Sequence, residues 1–237
     1  TGVPALVPEP VAPARREYLP WAQVGAGAEE RDLFAHFADS LVGVAEPTLD
    51  VRSWAREVAK EAGPDRMAVV RALYDRAMEA IEGSDGSFRN TAAGVLASGR
   101  GNRALLLKAA LRALGIEARW AAVRTFDQDP DAYRFPEPNR WGHVVLVVRT
   151  APDAPWIWLD PTTRWAPFGT LSPRAHGADA WILPEPGETT AQRTNTPDLD
   201  DEPKKPSRAT VIRRVIVALL ALACAGGWVY TRWIGKK

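Results

Sequence analysis

Cysteine and histidine, the side chains best suited to nucleophilic attack and proton transfer near neutral pH, are few in this chain and stand far apart. There is one cysteine, Cys224, and the three histidines are His36, His143 and His176. A single cysteine cannot form an intrachain disulfide, so cysteine usage assigns no redox compartment. No Cys/His spacing of the zinc-binding kind occurs, and no metal or cofactor is expected. His143 has the most informative surroundings, because it opens the apolar run ending at Val148, rich in β-branched residues. Asp160 closes a second apolar run, Trp156 to Leu159. A histidine and a carboxylate at the ends of neighbouring strands can work as a pair. The carboxylate orients the imidazole, and the imidazole moves a proton. A thiol attack would need a third member, a cysteine at a helix N-terminus where its pKa is lowered.

These residues have to be positioned by helices and strands that the hydrophobic pattern locates. Leu33, Phe34, Phe37 and Leu41 recur at helical spacing. Asp50 is placed to cap a short helix bearing Trp54 and Val58. Pro64 and Asp65 open a longer one with the stripe Met67, Val70, Tyr74, Met78 and Ile81, and Gly83 stops it. After a Gly/Ser-rich turn, Ala104 to Leu114 is apolar on nearly every side except at Lys108 and Arg112. A helix of that kind is covered by other elements. Gly115 caps it, and Ile116 to Thr125 reads as a strand. A polar, proline-containing loop over 127–140 leads to the His143 strand, then to Trp156–Leu159 and to a fourth strand over Ala180–Leu183. A helix-rich half followed by a strand-rich half gives an α+β fold, with helices packed on an antiparallel sheet.

The two ends differ from this core. Residues 1–28 form a proline-rich extended lead-in or the tail of an upstream domain, and 29–183 form the domain itself. Residues 184–210, rich in proline and charge, read as a disordered linker. Val215 to Thr231 carries no charge, and as a helix it spans roughly 25 Å. Arginines at 213, 214 and 232 and aromatic residues at 228, 230 and 233 flank it as they flank a membrane span. The expectation is a single transmembrane helix over 211–233 with a basic tail, 234–237. A formal net charge of +1 gives no argument for a nucleic-acid partner.

The order of a buried helix, then GIEARW, GHVVLVV and WIWLDPT, resembles the transglutaminase-like superfamily with its papain-type core. The likeness is to the bacterial branch whose core follows an N-terminal β domain. It covers roughly residues 50–183, and the following TRWAPFGTL fits the same branch. The resemblance implies that His143 stands at the family's catalytic histidine and Asp160 at its catalytic aspartate. The family's cysteine motif reads Gly-Asp-Cys-x-Asp-Lys-Ala-x-Leu-Leu. Anchored on Ala104, Leu105 and Leu106, it sets Arg100 at the cysteine, Gly99 at the preceding Asp and Ser98 at the Gly.

Arginine stays protonated and is no nucleophile. The resulting expectation is a membrane-anchored, catalytically inactive relative whose vestigial pair is His143 and Asp160. It would bind a peptide or protein partner, through Arg100, Trp141, Trp156 and Trp158 in the old active-site groove or through another face. Its soluble domain would face outside the cytoplasm as a scaffold component of the bacterial envelope. Two alternatives stand beside it. One is an active transamidase or hydrolase with a non-cysteine nucleophile, Ser98 being the nearby hydroxyl. The other is a purely structural subunit of a membrane complex. The blander local readings are a structural histidine at a strand start, a turn aspartate before Pro161, a solvated Arg100 and tryptophans, Trp165 and Trp181 included, that serve packing.

Overall fold

The apolar run after Asn102 becomes the helix on which three of the other helices pack. It spans Arg103–Ala113, and every residue from Arg103 to Leu111 is buried. Asn102 caps it by accepting a hydrogen bond from the Ala104 amide. The computed structural model describes residues 29–82, 86–128, 141–163 and 166–198. The lead-in, Gly83, most of the proline-containing loop, Trp165 and the C-terminal run over 211–233 lie outside those residues. Among the described residues, no helix is long and apolar enough to cross a membrane.

In chain order the helices are α1 (Glu30–Ser40), α2 (Leu49–Ala62), α3 (Arg66–Ala80), α4 (Ala92–Ser98) and α5 (Arg103–Ala113). The strands are β1 (Glu117–Val123), β2 (His143–Arg149), β3 (Ile157–Leu159), β4 (Asp179–Ile182) and β5 (Gln192–Asn195). Helices α2, α3 and α4 pack against α5, and α5 packs on β1 and β2. The sheet has the order β3-β2-β1-β4-β5 with antiparallel neighbours throughout. An α+β fold of helices on an antiparallel sheet is what the structure contains.

Strand periodicity divides the interior in two, because successive side chains point to opposite faces. Ala118, Trp120, Ala122, Leu146, Val148 and Leu159 join the helical core. Ala121, Val123, Val145, Val147 and Trp158 point the other way. That second face is covered by Leu171, Ala175 and Ala178, from the segment around a short 3-10 turn at Pro173–Ala175. Covering both faces is why the His143 strand reads as a nearly continuous apolar run.

Four local expectations change. Asp50 does not cap α2; it lies in the first turn, and Thr48 takes the cap position without a side-chain hydrogen bond. Asp65 does cap α3, accepting from the Met67 and Ala68 amides. Met67 itself is 39% exposed, because Val69, Val70, Leu73, Tyr74 and Ala77 form the buried face. The Gly/Ser-rich turn contains a two-turn helix, α4, capped by the Thr91 hydroxyl on the Gly94 amide. Of the expected linker 184–210, the described part over 184–198 carries β5, paired with β4 along Asp179–Ile182. Propensity alone disfavours that strand. Tertiary pairing and the turn at Glu185–Glu188 supply what its own residues lack.

Lys108 is the exception inside α5. Its ammonium is buried and donates to the Ala118 carbonyl and to Glu185. Burial pushes its pKa below the usual lysine range, and Glu185 acts against that shift. The pair fastens the turn after β4 to the central helix. A buried pair is costly to break from one side and cheap to replace as a whole. We therefore expect Glu185→Ala to destabilise the fold by about 2 kcal/mol. Lys108→Met, which fills the site with an unbranched apolar side chain, should stay within about 1 kcal/mol of the parent. Urea unfolding of the two variants checks the asymmetry.

Candidate functional site

Strand register brings His143 and Asp160 together. β2 and β3 pair with Leu146 opposite Leu159 and Val148 opposite Ile157. Continuing that ladder sets Asp160 beside Val145, so His143 is its diagonal neighbour on the same face. The side chains meet there: His143 Nε2 lies 2.9 Å from Asp160 Oδ2.

Asp160 is fully buried, and a buried carboxylate must be hydrogen-bonded to persist as an anion. Its Oδ1 accepts from the Thr162 hydroxyl at 2.6 Å. Its Oδ2 accepts from the Thr163 hydroxyl at 2.9 Å and from the Ser172 amide at 3.3 Å. Burial alone would raise the carboxyl pKa. The His143 hydrogen bond and charge, followed by the two threonines, outweigh burial and hold it at about 2. Below it, the Tyr74 hydroxyl donates to the Ala166 carbonyl at 2.7 Å and lies 3.4 Å from the Asp160 carbonyl. Burial, then the Asp160 charge, pushes that phenol well above its usual range.

An ionised Asp160 only accepts, so the proton between the two groups sits on His143 Nε2. Nδ1 then has no hydrogen-bond partner among the described residues. The imidazole is about one-fifth exposed and lines an open pocket of about 560 Å³. Thr125, Asp127, Gln128, Ser172 and Arg174 line the same pocket. An imidazole oriented by a buried carboxylate, with its second nitrogen facing a pocket, can give or take a proton from a bound group.

Arg100 stands elsewhere. It sits in the turn between α4 and α5, between Gly99 and Gly101, both with positive φ. A Cβ at Gly101 would also come within 3.1 Å of Val95 Cγ2. The Arg100 guanidinium is 74% exposed and pairs with Glu82 at 3.0 Å, while the Glu82 amide bonds the Gly99 carbonyl at 2.7 Å. Arg100 is not among the residues lining the His143 pocket. Ser98 spends its hydroxyl on the backbone, donating to the Gly94 carbonyl at 2.7 Å and the Arg100 carbonyl at 3.1 Å, and makes no bond to His143. The first residue of α5, Arg103, is buried and donates to the Ile81 carbonyl.

The three tryptophans expected in one groove lie on two faces of the sheet. Trp141 belongs to the helical core, edge-on to Phe34 and Trp181. Trp158 belongs to the opposite cluster. Trp156 packs beside Trp158, with the guanidinium of Arg149 4.6 Å from its ring centroid. The residues that do meet His143 and Asp160 were not singled out from the sequence. Thr162 and Thr163 follow Asp160 directly, a short-range pattern in which hydroxyls bond a nearby carboxylate. Ser172 and Arg174 return from a later segment and carry no such signal. Among the described residues, no cluster of three His, Cys, Asp or Glu side chains could hold a metal ion.

Residues 52–161 match the family model described as transglutaminase-like superfamily. No curated protein matches the chain. Among solved structures, the chain is similar to a candidate cysteine protease from Cytophaga hutchinsonii. Identity is 18% and the TM-score 0.37, over 66% of this chain and 53% of that one. This chain thus spans about half the length of that protein.

The Asp160 shift has a pH signature. Its folded pKa of about 2 lies below the ordinary aspartate value of 3.8, so the carboxylate stabilises the fold fully above the unfolded value. That contribution is lost as pH falls from about 4 towards 2, and amounts to about 2 kcal/mol. Asp160→Asn should be less stable than the parent at pH 7 by a similar or larger amount, and its stability should fall less steeply across that acid window. Denaturant unfolding at pH 7, 4 and 2 measures both.

Proposed function

Residues 52–161 belong to the transglutaminase-like superfamily, and on that premise we propose that this chain is a member without the nucleophilic cysteine that binds a peptide at the His143 pocket rather than transferring acyl groups. The observation that carries the reading is the contrast at Arg100. The oriented His143–Asp160 pair is kept at 2.9 Å, while the residue aligned with the family's cysteine is an exposed arginine engaged with Glu82. The lone cysteine, Cys224, lies in the C-terminal apolar run, far along the chain. Removing the nucleophile from a comparable catalytic unit costs on the order of a million-fold in rate. The segment 211–233, with its uncharged run 215–231, is proposed to anchor the protein in a membrane, with the binding domain on the extracytoplasmic side as a scaffold component of an envelope.

A second reading rests on Ser172. Its hydroxyl makes no hydrogen bond among the described residues, and it lines the same pocket as His143. In that reading the chain is a hydrolase whose histidine activates Ser172. The two readings part on activity. Purified protein is expected to show no transamidation or peptide hydrolysis above the buffer rate, and neither His143→Ala nor Ser172→Ala should change that. Activity abolished by both substitutions would establish the second reading and overturn the first. Arg100→Cys tests the same point from the other side. The introduced thiol would project from an exposed turn, so alkylation by iodoacetamide should follow an ordinary thiol pH profile and be unaffected by His143→Ala. Acyl transfer gained by Arg100→Cys and lost again with His143→Ala would overturn the placement of Arg100 outside the site.

A further inference from the structure

The pocket beside His143 is lined in part by hydrogen-bonding groups without side-chain hydrogen-bond partners among the described residues. Among the described residues, the Arg174 guanidinium makes no hydrogen bond; its partner Asp127 stays 3.6 Å away, and Arg174 is 67% exposed. The Thr125 and Ser172 hydroxyls and the Gln128 amide also line the pocket without side-chain partners there. Asp127 and the second nitrogen of His143 line the same pocket. The other carboxylate, Asp160, is buried and saturated by His143, Thr162, Thr163 and the Ser172 amide. The hydroxyls and the carboxamide can each donate or accept, so the guanidinium sets the preference, and its planar fork suits a carboxylate best.

The rim adds a second requirement. Phe126 is 74% exposed, one of few large apolar side chains turned to solvent among the described residues. Its amide donates to the Arg174 carbonyl at 3.0 Å, so the ring and the guanidinium are held on adjacent backbones. Thr125, Asp127 and Gln128, on either side of Phe126 in the chain, all line the pocket. Phe126 does not itself line the pocket, but an exposed ring carried one residue from its wall can pack on a side chain next to one held by Arg174.

We infer that the His143 pocket recognises an acidic peptide segment, with a side-chain carboxylate taken by Arg174 and an adjacent apolar side chain packed on Phe126. This inference rests on the peptide-binding reading above and gives it a substrate class. Asp127 opposes the incoming carboxylate and partly neutralises Arg174, so it weakens binding. The order of effects follows: Arg174 attracts, Phe126 adds apolar contact, and Asp127 detracts.

The test is titration of the full chain in detergent with blocked tetrapeptides, acetyl-Ala-Leu-Glu-Ala-amide and its Gln and Lys counterparts at the third position. The Glu peptide should bind about tenfold tighter than the Gln peptide, the scale of one charge-assisted contact. Arg174→Gln should abolish that preference, and Asp127→Asn should strengthen Glu-peptide binding several-fold. Replacing the Leu of the peptide by Ala should weaken binding to the parent and leave binding to Phe126→Ala unchanged. These side chains are exposed or half-exposed, so far-UV circular dichroism should report intact folds. Equal binding of the Glu and Gln peptides, or a preference that survives Arg174→Gln, overturns the inference and leaves a peptide site standing. Binding by none of the three peptides overturns the inference together with the peptide-binding reading. Competition by glucuronate as effective as the Glu peptide would assign the carboxylate site to an acidic sugar and overturn the peptide assignment.

Discussion

A buried carboxylate must be surrounded by donors, and at Asp160 that requirement organises the strand end. Asp160 is fully buried and lies at the edge of β3, where backbone pairing ends. Its acceptor capacity is met by an imidazole from β2, two hydroxyls from the next turn and an amide at Ser172. One side chain thus ties β2, β3 and the segment that covers the far face of the sheet. The same bonds leave the imidazole with one nitrogen committed and one open to a pocket, so the structural requirement and the proton-transfer geometry are a single arrangement.

The turn before α5 follows a different constraint. The N-terminal end of a helix carries partial positive charge and favours anions or thiolates over cations. An arginine at Arg100 has nothing to gain by pointing into that end. It turns outward to Glu82, where a surface ion pair contributes at most about 1 kcal/mol. The positive φ of Gly99 and Gly101 lets the chain turn sharply on both sides of it. The residue at this turn and the buried His143–Asp160 pair are held by separate sets of bonds.

Most of the core could be read along the chain. The covered helix α5 and the doubly buried β2 are signalled by apolar runs whose length and residue types match their periods. Short elements were harder to read. Helix α4 is two turns within a Gly/Ser-rich stretch, and β5 is a polar edge strand held by its neighbour, so neither carries a periodic apolar signal. Lys108 shows the same limit from the other side: a charged residue in an apolar run reads as an exposed position, yet Glu185, distant in sequence, allows it to be buried.

For the site, the sequence by itself determined which residues could form the proton-transfer pair, because a histidine opening one buried strand and an aspartate closing the next are local patterns. It also determined that no cysteine stands before α5, since residue identity at Arg100 is read directly. Only the tertiary structure decided that His143 and Asp160 touch, because their meeting depends on the β2–β3 register. It also separated Trp141 from Trp156 and Trp158, since Trp141 precedes β2 and packs into the helical core, while Trp158 lies within β3 and faces the other cluster. The same long-range folding brought Ser172 and Arg174 back beside a pocket that no spacing along the chain reveals.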